Sequence, residues 1–344
     1  MTEGGNKIIA TWLYLEGVDE GGRYPQVKGK SSSASFHDIY KRCLITFFLS
    51  AKSAHPNARL ILFSNLNLQN SNRTIDKKVM NLLKNAGVEF LQLEYTFQPP
   101  ARQKNWRNQF FILDVLQFLA SDTDLNDLCL VLDSDIVFSG IDSAGNFWED
   151  LQKNGYLNMI PITNRDEIIN GLSLNNLVDI SLKLGHENKK IEYSGGEFIA
   201  LCGDKLQEVN FIAKNQWLKY MELISNDDIP LMEEAHFLSI VYSTLSFNFG
   251  DADKYIKRIW TQSFHHENRT NSDLHLIFWH LPTEKRFGIR RIATKHLKNP
   301  ELTWPVYRSE GWKKYVSQLG IRENSMMKII NDVSRSVFDR ILFK

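Results

Sequence analysis

Little in this sequence stands out by excess, and the shortages are informative. There is no surplus of either charge: 41 Lys and Arg face 40 Asp and Glu, a formal net charge of +1 over 344 residues. A general nucleic-acid-binding protein would be more basic, so nucleic acid is not an expected partner. Cysteine is scarce. Cys43, Cys129 and Cys202 are scattered, each inside an apolar stretch. They fit no zinc spacing and no disulfide framework, so a reducing cytosol is the default expectation. No apolar run reaches the length of a membrane span, and residues 1–7 are polar, without the apolar centre of a signal peptide. No internal repeat and no long low-complexity tract is present. What remains is an ordinary globular composition, 43% hydrophobic and 12% aromatic, long enough to bury a sizeable core.

Strand-like and helix-like patterns alternate along the first 140 residues. Lys7 to Leu15 is rich in β-branched and aromatic residues and reads as a strand. Gly17 to Ser35 reads as a loop. Apolar residues at Phe36, Ile39, Tyr40, Cys43, Leu44 and Phe47 then predict a helix with one buried face. A strand at Leu60 to Ser64, a helix at Thr74 to Asn85 closed by Gly87, a strand at Val88 to Leu93 and a helix at Asn105 to Ala120 follow. Further on, the pattern predicts helices over Ile168 to Leu184, Lys205 to Ile224 and Leu231 to Thr244. It predicts a strand over Glu192 to Cys202 and a last short strand over Leu274 to Trp279, ending at His280. The alternation implies an α/β chain with a mostly parallel, Rossmann-like central sheet, flanking helices and a helical C-terminal part. Ligands of such sheets sit beyond the C-terminal strand ends, at a switch in strand order. Thr11, Trp12, Ser64 and Asn65 lie near such ends.

The decisive stretch is Cys129-Leu130-Val131-Leu132-Asp133-Ser134-Asp135-Ile136-Val137-Phe138. An apolar strand closes on two carboxylates one residue apart. Asp-x-Asp also occurs at Asp122/Asp124 and Asp251/Asp253, but only here does it end a buried-strand pattern. Charges beside a core need a partner, and no nearby Lys or Arg supplies one in sequence. A divalent cation, Mn²⁺ or Mg²⁺, is the simplest partner. Such ions commonly take one or two carboxylates and complete their shell from substrate phosphates.

This stretch resembles the metal-binding motif of nucleotide-sugar glycosyltransferases of the GT-A fold. The resemblance implies that Asp135 binds the cation, that Asp133 binds it or the donor ribose, and that Ser134 lies beside them. It implies that Lys104 and Arg107, in the stretch Lys104 to Gln109 opening the preceding helix, touch the nucleotide; a solvated helix start is the plainer reading of both. Tyr193-Ser194-Gly195-Gly196-Glu197-Phe198 puts two glycines in a strand pattern, a mark of close approach or of a bulge. After an intervening helix comes Met232-Glu233-Glu234-Ala235-His236-Phe237-Leu238. This order is similar to that of retaining family 6 glycosyltransferases. It implies that Glu234 faces the anomeric carbon and that His236, with Gly195, Gly196 and Glu197, lies on the acceptor side; acids favoured by a helix N-terminus are the plainer reading. His280-Leu281-Pro282-Thr283-Glu284-Lys285 is similar to a C-terminal His…Lys segment of retaining family 8, one residue shorter and without the usual glycine before the lysine. It implies His280 as a third metal ligand and Lys285 as a diphosphate contact.

The resemblance thus implies a single catalytic domain over about residues 1–300, with a nucleotide-binding half (about 1–140) and an acceptor-binding half (about 141–300). A helical extension occupies 301–344. The expected reaction moves a sugar, from a UDP-sugar by first choice and with retention, to a hydroxyl of a saccharide or glycolipid, as in surface polysaccharide or lipopolysaccharide synthesis. Asn324 to Phe343 has an apolar face at Met326, Ile329, Ile330, Val333, Val337 and Ile341 with interspersed basic residues. It either packs on the catalytic domain, the preferred reading, or meets the inner face of a membrane as a peripheral contact. Two competing expectations stand: a haloacid-dehalogenase-type phosphatase with Asp133 as nucleophile, and a non-catalytic sugar-binding protein on the same fold. The phosphatase motif normally lies on an early strand, whereas three strand–helix units precede it here.

Overall fold

The computed structural model describes residues 5–18, 20, 29–103, 105–141, 144–160, 164–187, 190–245, 249–262, 267–322, 326, 328–330 and 332–334. Its first half alternates β1 (Lys7–Leu13), α1 (Ala34–Ala54), β2 (Arg59–Ser64), α2 (Thr74–Asn85), β3 (Val88–Gln92), α3 (Phe111–Asp122) and β4 (Leu128–Leu132). Then come β5 (Ile136–Phe138), α4 (Ala144–Asn154), β6 (Tyr156–Asn158), α5 (Leu174–Lys183), β7 (Phe198–Cys202) and the long α6 (Gly203–Ser225). The remainder holds α7 (Glu234–Ser243), β8 (Gly250–Asp251), β9 (Ile256–Arg258), β10 (Phe278–His280), α8 (Gly288–Lys298) and α9 (Glu310–Leu319).

Seven strands form the main sheet in the order β3-β2-β1-β4-β7-β6-β8. β1, β2, β3 and β4 are mutually parallel, and β7 enters antiparallel beside β4. Successive side chains of a strand face opposite ways, and the sequence uses that period to build two cores. Ile8, Ala10, Ile61, Phe63, Cys129, Val131, Ile199 and Leu201 face α3, α5, α6 and α7. Ile9, Leu60, Leu62, Leu128, Leu130, Phe198 and Ala200 face α1, α2 and α4. Both faces of the central strands are therefore apolar, and the strands read as near-continuous hydrophobic runs.

A second sheet, β5-β10-β9, stands at the end of the first. β10 pairs antiparallel with β5, matching His280 to Ile136, and parallel with β9, matching His280 to Arg258. Behind it, Val137, Trp279 and Leu281 pack with Ile289 and Ile292 of α8 and with Trp312, Tyr315, Val316 and Leu319 of α9. Ser309 caps α9 by accepting from Trp312 N at 3.1 Å, and Gly320 ends it at φ 72°, the left-handed stop that glycine favours.

Several expected elements begin later than their patterns suggest: the helix expected from Asn105 starts at Phe111, after a 3₁₀ turn over Arg107–Phe110, and the one expected from Leu231 starts at Glu234. The helix expected from Ile168 starts at Leu174. Asn170 and Gly171 both have positive φ, closing a tight Ile169–Leu172 bridge, and the Ser173–Asn176 capping box fixes the start. The strand expected from Glu192 starts at Phe198, so Gly195 and Gly196 precede it, and Phe198 N donates back to Gly195 O in a turn. The strand expected from Leu274 starts at Phe278, because Thr270 and Asp273 cap a 3₁₀ turn over Asn271–His275. Beyond α9, the described residues between 326 and 334 are helical. Lys328 is buried there on Glu284 (Nζ–Oε1 2.8 Å), while Met326, Ile329, Ile330 and Val333 are exposed. Val337, Ile341 and the terminal basic residues lie outside the described residues.

Candidate active site

Strand order reverses between β1, which continues to β2 on one side, and β4 on the other. A crevice opens where the C-terminal ends of these two neighbours diverge. A cavity of about 180 Å³ lies there, reached by Trp12 and Tyr14 at the end of β1 and by Asp133, Ser134 and Asp135 after β4. Both ends of the Asp-Ser-Asp turn are fixed. Asp133 N donates to Glu197 O at 3.0 Å, Ile136 N donates to Asp133 O at 3.1 Å, and Leu281 N donates to Asp135 O at 3.2 Å. The β5–β10 pairing then delivers His280, and the 3₁₀ turn Pro282–Arg286 delivers Lys285.

The result is a buried chain of charges. Lys285 Nζ stands 3.1 Å from Asp135 Oδ2, and His280 Nε2 3.3 Å from the same oxygen. His280 Nδ1 is 3.3 Å from Glu197 Oε1, which accepts from Arg258 Nε at 2.8 Å. Burial pushes Asp133 up to about 6, helped by the charge of Asp135. Burial would raise Asp135 too, but Lys285 and His280 outweigh it and hold that carboxyl well below its ordinary range. Burial opposes a charge on His280, yet Asp135 and Glu197 raise its pKa to about 9. Arg258 and His280 likewise overcome burial at Glu197 and keep it ionised.

Opposite this chain stands the start of α7. Glu233 caps that helix and accepts from Tyr193 Oη at 2.8 Å and Asn170 Nδ2 at 2.5 Å. Glu234, at the cavity wall, differs from it. Its Oε2 is buried with no hydrogen-bond partner among the described residues. Burial, followed by the neighbouring charge of Glu233, drives its pKa well above the ordinary value.

Among the described residues, one set of His, Cys, Asp or Glu side chains has the spacing of a metal site: Asp133, Asp135 and His280, whose ligand atoms lie within 4.8 Å of one another. The fit is good. Asp135 Oδ2 is buried without a well-aligned hydrogen bond among the described residues. Two carboxylates suit Mg²⁺ or Mn²⁺, and an imidazole in the set leans toward a first-row transition ion.

No family model matches the sequence, and no curated protein matches it. Solved structures do. A crystal structure of the galactosyltransferase LgtC in complex with donor and acceptor sugar analogs is 13% identical, over 89% of this chain and 99% of that one, with a TM-score of 0.46. A structure of an active-site mutant of LgtC matches with the same identity and coverage and a TM-score of 0.50. The chain has a GT-A-like fold. Three strand–helix units precede β4, so Asp133 does not lie on the early strand that the phosphatase reading calls for.

In this GT-A-like frame, Trp12, Asp133, Ser134 and Asp135 reach the cavity from the part of the chain before residue 140. Gly196, Glu197, Glu234, His280 and Lys285 reach it from the other. Six expected residues do not line it, among them Ser64, buried at the end of β2. Thr11 is fully buried inside β1. Asn65 clamps the backbone of Leu15, accepting from its N at 2.8 Å and donating to its O at 3.1 Å. Arg107 turns away to Pro99 O and Gln98, with Glu20 3.9 Å off. His236 lies beneath the wall, its Nδ1 accepting from Glu233 N at 3.4 Å. Gly195 sits behind the carboxylate of Glu197. Lys104 lies outside the described residues. The sequence reading missed Arg258, Tyr40 and Glu16, which also line the cavity. Tyr40 fits the buried helical face on which it was counted, and nothing local marks Arg258 on its three-residue strand. Trp106 reaches the cavity from a left-handed backbone (φ 60°), uncommon for a bulky residue.

Proposed function

We propose that this chain is a metal-dependent glycosyltransferase, moving a sugar from a nucleotide diphosphate, UDP first, to a hydroxyl of a saccharide or glycolipid with retention. The observation carrying this reading is the convergence of Asp133, Asp135 and His280, with Lys285 beside them, on a cavity at the β1–β4 switch point. These three side chains would hold Mn²⁺ or Mg²⁺. When bound, such a cation supplies Lewis-acid stabilisation of charge on a departing diphosphate. Lys285 offers a second positive charge to the same group. Cation–π contact with Tyr40, 5.1 Å from the ring centroid, helps hold its ammonium in place.

Glu234 stands across the cavity from this cluster. Ionising it there is unfavourable until a positive centre develops in front of it. An oxocarbenium-like carbon is such a centre, and Glu234, with its proton first released to solvent, would stabilise it as the carboxylate. This supports Glu234 as nucleophile or electrostatic stabiliser. Trp12 and Ser134 lie where a donor nucleotide would enter, and Gly196 lies beside Glu234, toward an acceptor. The exposed Met326, Ile329, Ile330 and Val333 fit a peripheral contact with a membrane that carries a lipid-linked acceptor.

Asp135→Ala is expected to abolish transfer; it also strands the buried charges of Lys285 and His280, so the melting temperature is expected to fall, and circular dichroism checks that the chain still folds. Isothermal titration with UDP is expected to show binding that strengthens with Mn²⁺. Full turnover by that variant with EDTA present rules out the metal role. Binding without transfer for every nucleotide sugar tried points to a sugar-binding protein on the same fold.

A further inference from the structure

We propose that Glu197 is a positioning residue for the cation site: it holds the His280 ring by Nδ1, so that Nε2 is presented to the ion, and Arg258 in turn fixes Glu197. The inference rests on the reading of Asp133, Asp135 and His280 as cation ligands. It gives Glu197 a different task from the acceptor contact expected of it.

Three observations carry it. Glu197 is buried, 5% exposed, and its Oε1 lies between Arg258 Nε, which donates to it at 2.8 Å, and His280 Nδ1, 3.3 Å away in a charge contact without a well-aligned hydrogen bond among the described residues. His280 is 4% exposed, and its other nitrogen faces Asp135 Oδ2 at 3.3 Å, so the two carboxylates address opposite ends of one ring. The backbone makes room for this arrangement. A Cβ on Gly195 would stand 2.7 Å from Glu197 Oε2, closer than real Cβ atoms come. The neighbouring Gly196 makes room for another acid, since its Cβ would stand 2.8 Å from Glu234 Oε1. The Gly-Gly pair thus seats two carboxylates that both line the cavity. A metal-ligating histidine commonly donates its second N–H to a carboxylate, which fixes tautomer and ring orientation, and losing that partner typically weakens metal binding 10–100-fold.

The test is Mn²⁺ titration calorimetry on the full chain, with no sugar or nucleotide present. Glu197→Gln keeps the shape and should weaken Mn²⁺ at least tenfold. Gly195→Ala leaves every charged side chain in place yet crowds Glu197, and should weaken it in the same direction. His280→Ala should also weaken it, and the Glu197→Gln/His280→Ala double variant should bind no worse than His280→Ala alone. Wild-type affinity in Glu197→Gln, or a full additional loss in the double variant, overturns the inference while leaving the cation site standing. Should Glu197→Gln fail to fold, Gly195→Ala alone decides between the two outcomes. Absence of Mn²⁺ binding by the wild type at millimolar ion overturns both the site and the inference built on it.

Discussion

At the residue scale, the site was legible where its chemistry is contiguous. Asp133, Ser134 and Asp135 sit on one turn, so an apolar run and two acids mark them without any long-range knowledge. His280 and Lys285 were reached only through a resemblance to a His…Lys segment, because nothing in the local residues marks them. Arg258 was not, because a single basic residue in Ile256–Arg258 gains its meaning only when β9 pairs with β10 and sets it beside His280. Asn65 shows the opposite failure: it lies after a strand end, as a ligand contact would, but spends its amide on Leu15. The role argued for Glu234 leads to a prediction at this scale. Gly196→Ala would put a methyl 2.8 Å from Glu234 Oε1 and 3.3 Å from Ala235 Cβ. The carboxyl must shift, so turnover is expected to fall at least tenfold while Mn²⁺ affinity holds. Losses of about tenfold correspond to roughly 1.4 kcal/mol of transition-state stabilisation. A variant with wild-type kcat would show that Glu234 is not held where the reaction needs it.

At the scale of elements, the strand–helix alternation was readable because β1, β2 and β4 are apolar on both faces and α1 and α2 each bury one face. Boundaries set by backbone turns were less so: Asn170-Gly171, Gly195-Gly196 and the Thr270–Asp273 cap each shorten an element whose side-chain pattern continues past them. One tie between elements invites a stability test. Lys41 on α1 and Asp76 in the first turn of α2 form a buried ion pair, Nζ–Oδ1 2.8 Å, each residue 5% exposed, and Ser71 Oγ donates to the other carboxyl oxygen at 2.6 Å. Breaking such a pair from one side strands a buried charge and costs about 3–5 kcal/mol. Lys41→Met is therefore expected to lower the urea midpoint clearly, and adding Asp76→Leu should recover most of the loss. Burial alone would raise the pKa of Asp76, but Lys41 and Ser71 outweigh it and lower the folded value. The folded pKa lies below the unfolded one of about 3.9, so the contribution is complete above that pH and is lost as pH falls through the folded value. Equal midpoints for wild type and Lys41→Met at pH 7 would contradict the argument.

At the scale of the whole molecule, the near-neutral charge hides a division that only the structure made worth counting. Residues 286–344 hold 13 Lys and Arg against 5 Asp and Glu, a net +8, and residues 1–285 therefore carry −7. Within the same basic part, the described residues between 326 and 334 form a helical segment that is turned inside out. Its lysine points inward, since Lys328 is 4% exposed and binds Glu284 and Asp332, and Asp332 also takes Arg291 Nη1 at 2.7 Å. Its apolar residues point outward: Met326 is 79% exposed, Ile330 53% and Val333 51%. The polar anchors fix the orientation, so the outward face is not a fraying accident of composition. A positive region carrying an apolar strip fits an anionic lipid surface, where each Lys or Arg near the headgroups contributes about 1 kcal/mol and the strip adds apolar burial. No helix of the described residues is long and apolar enough to cross a membrane, so the contact would be peripheral. The full chain is expected to float with vesicles containing anionic lipid at low salt and much less with zwitterionic ones. Half-molar salt should release it, because surface charge is then screened within a few ångströms. Ile330→Asp/Val333→Asp should weaken vesicle binding at least tenfold and leave UDP and Mn²⁺ binding unchanged, since both positions lie outside the cavity. Equal flotation of that variant and the wild type would show that charge alone, or another part of the chain, makes the contact.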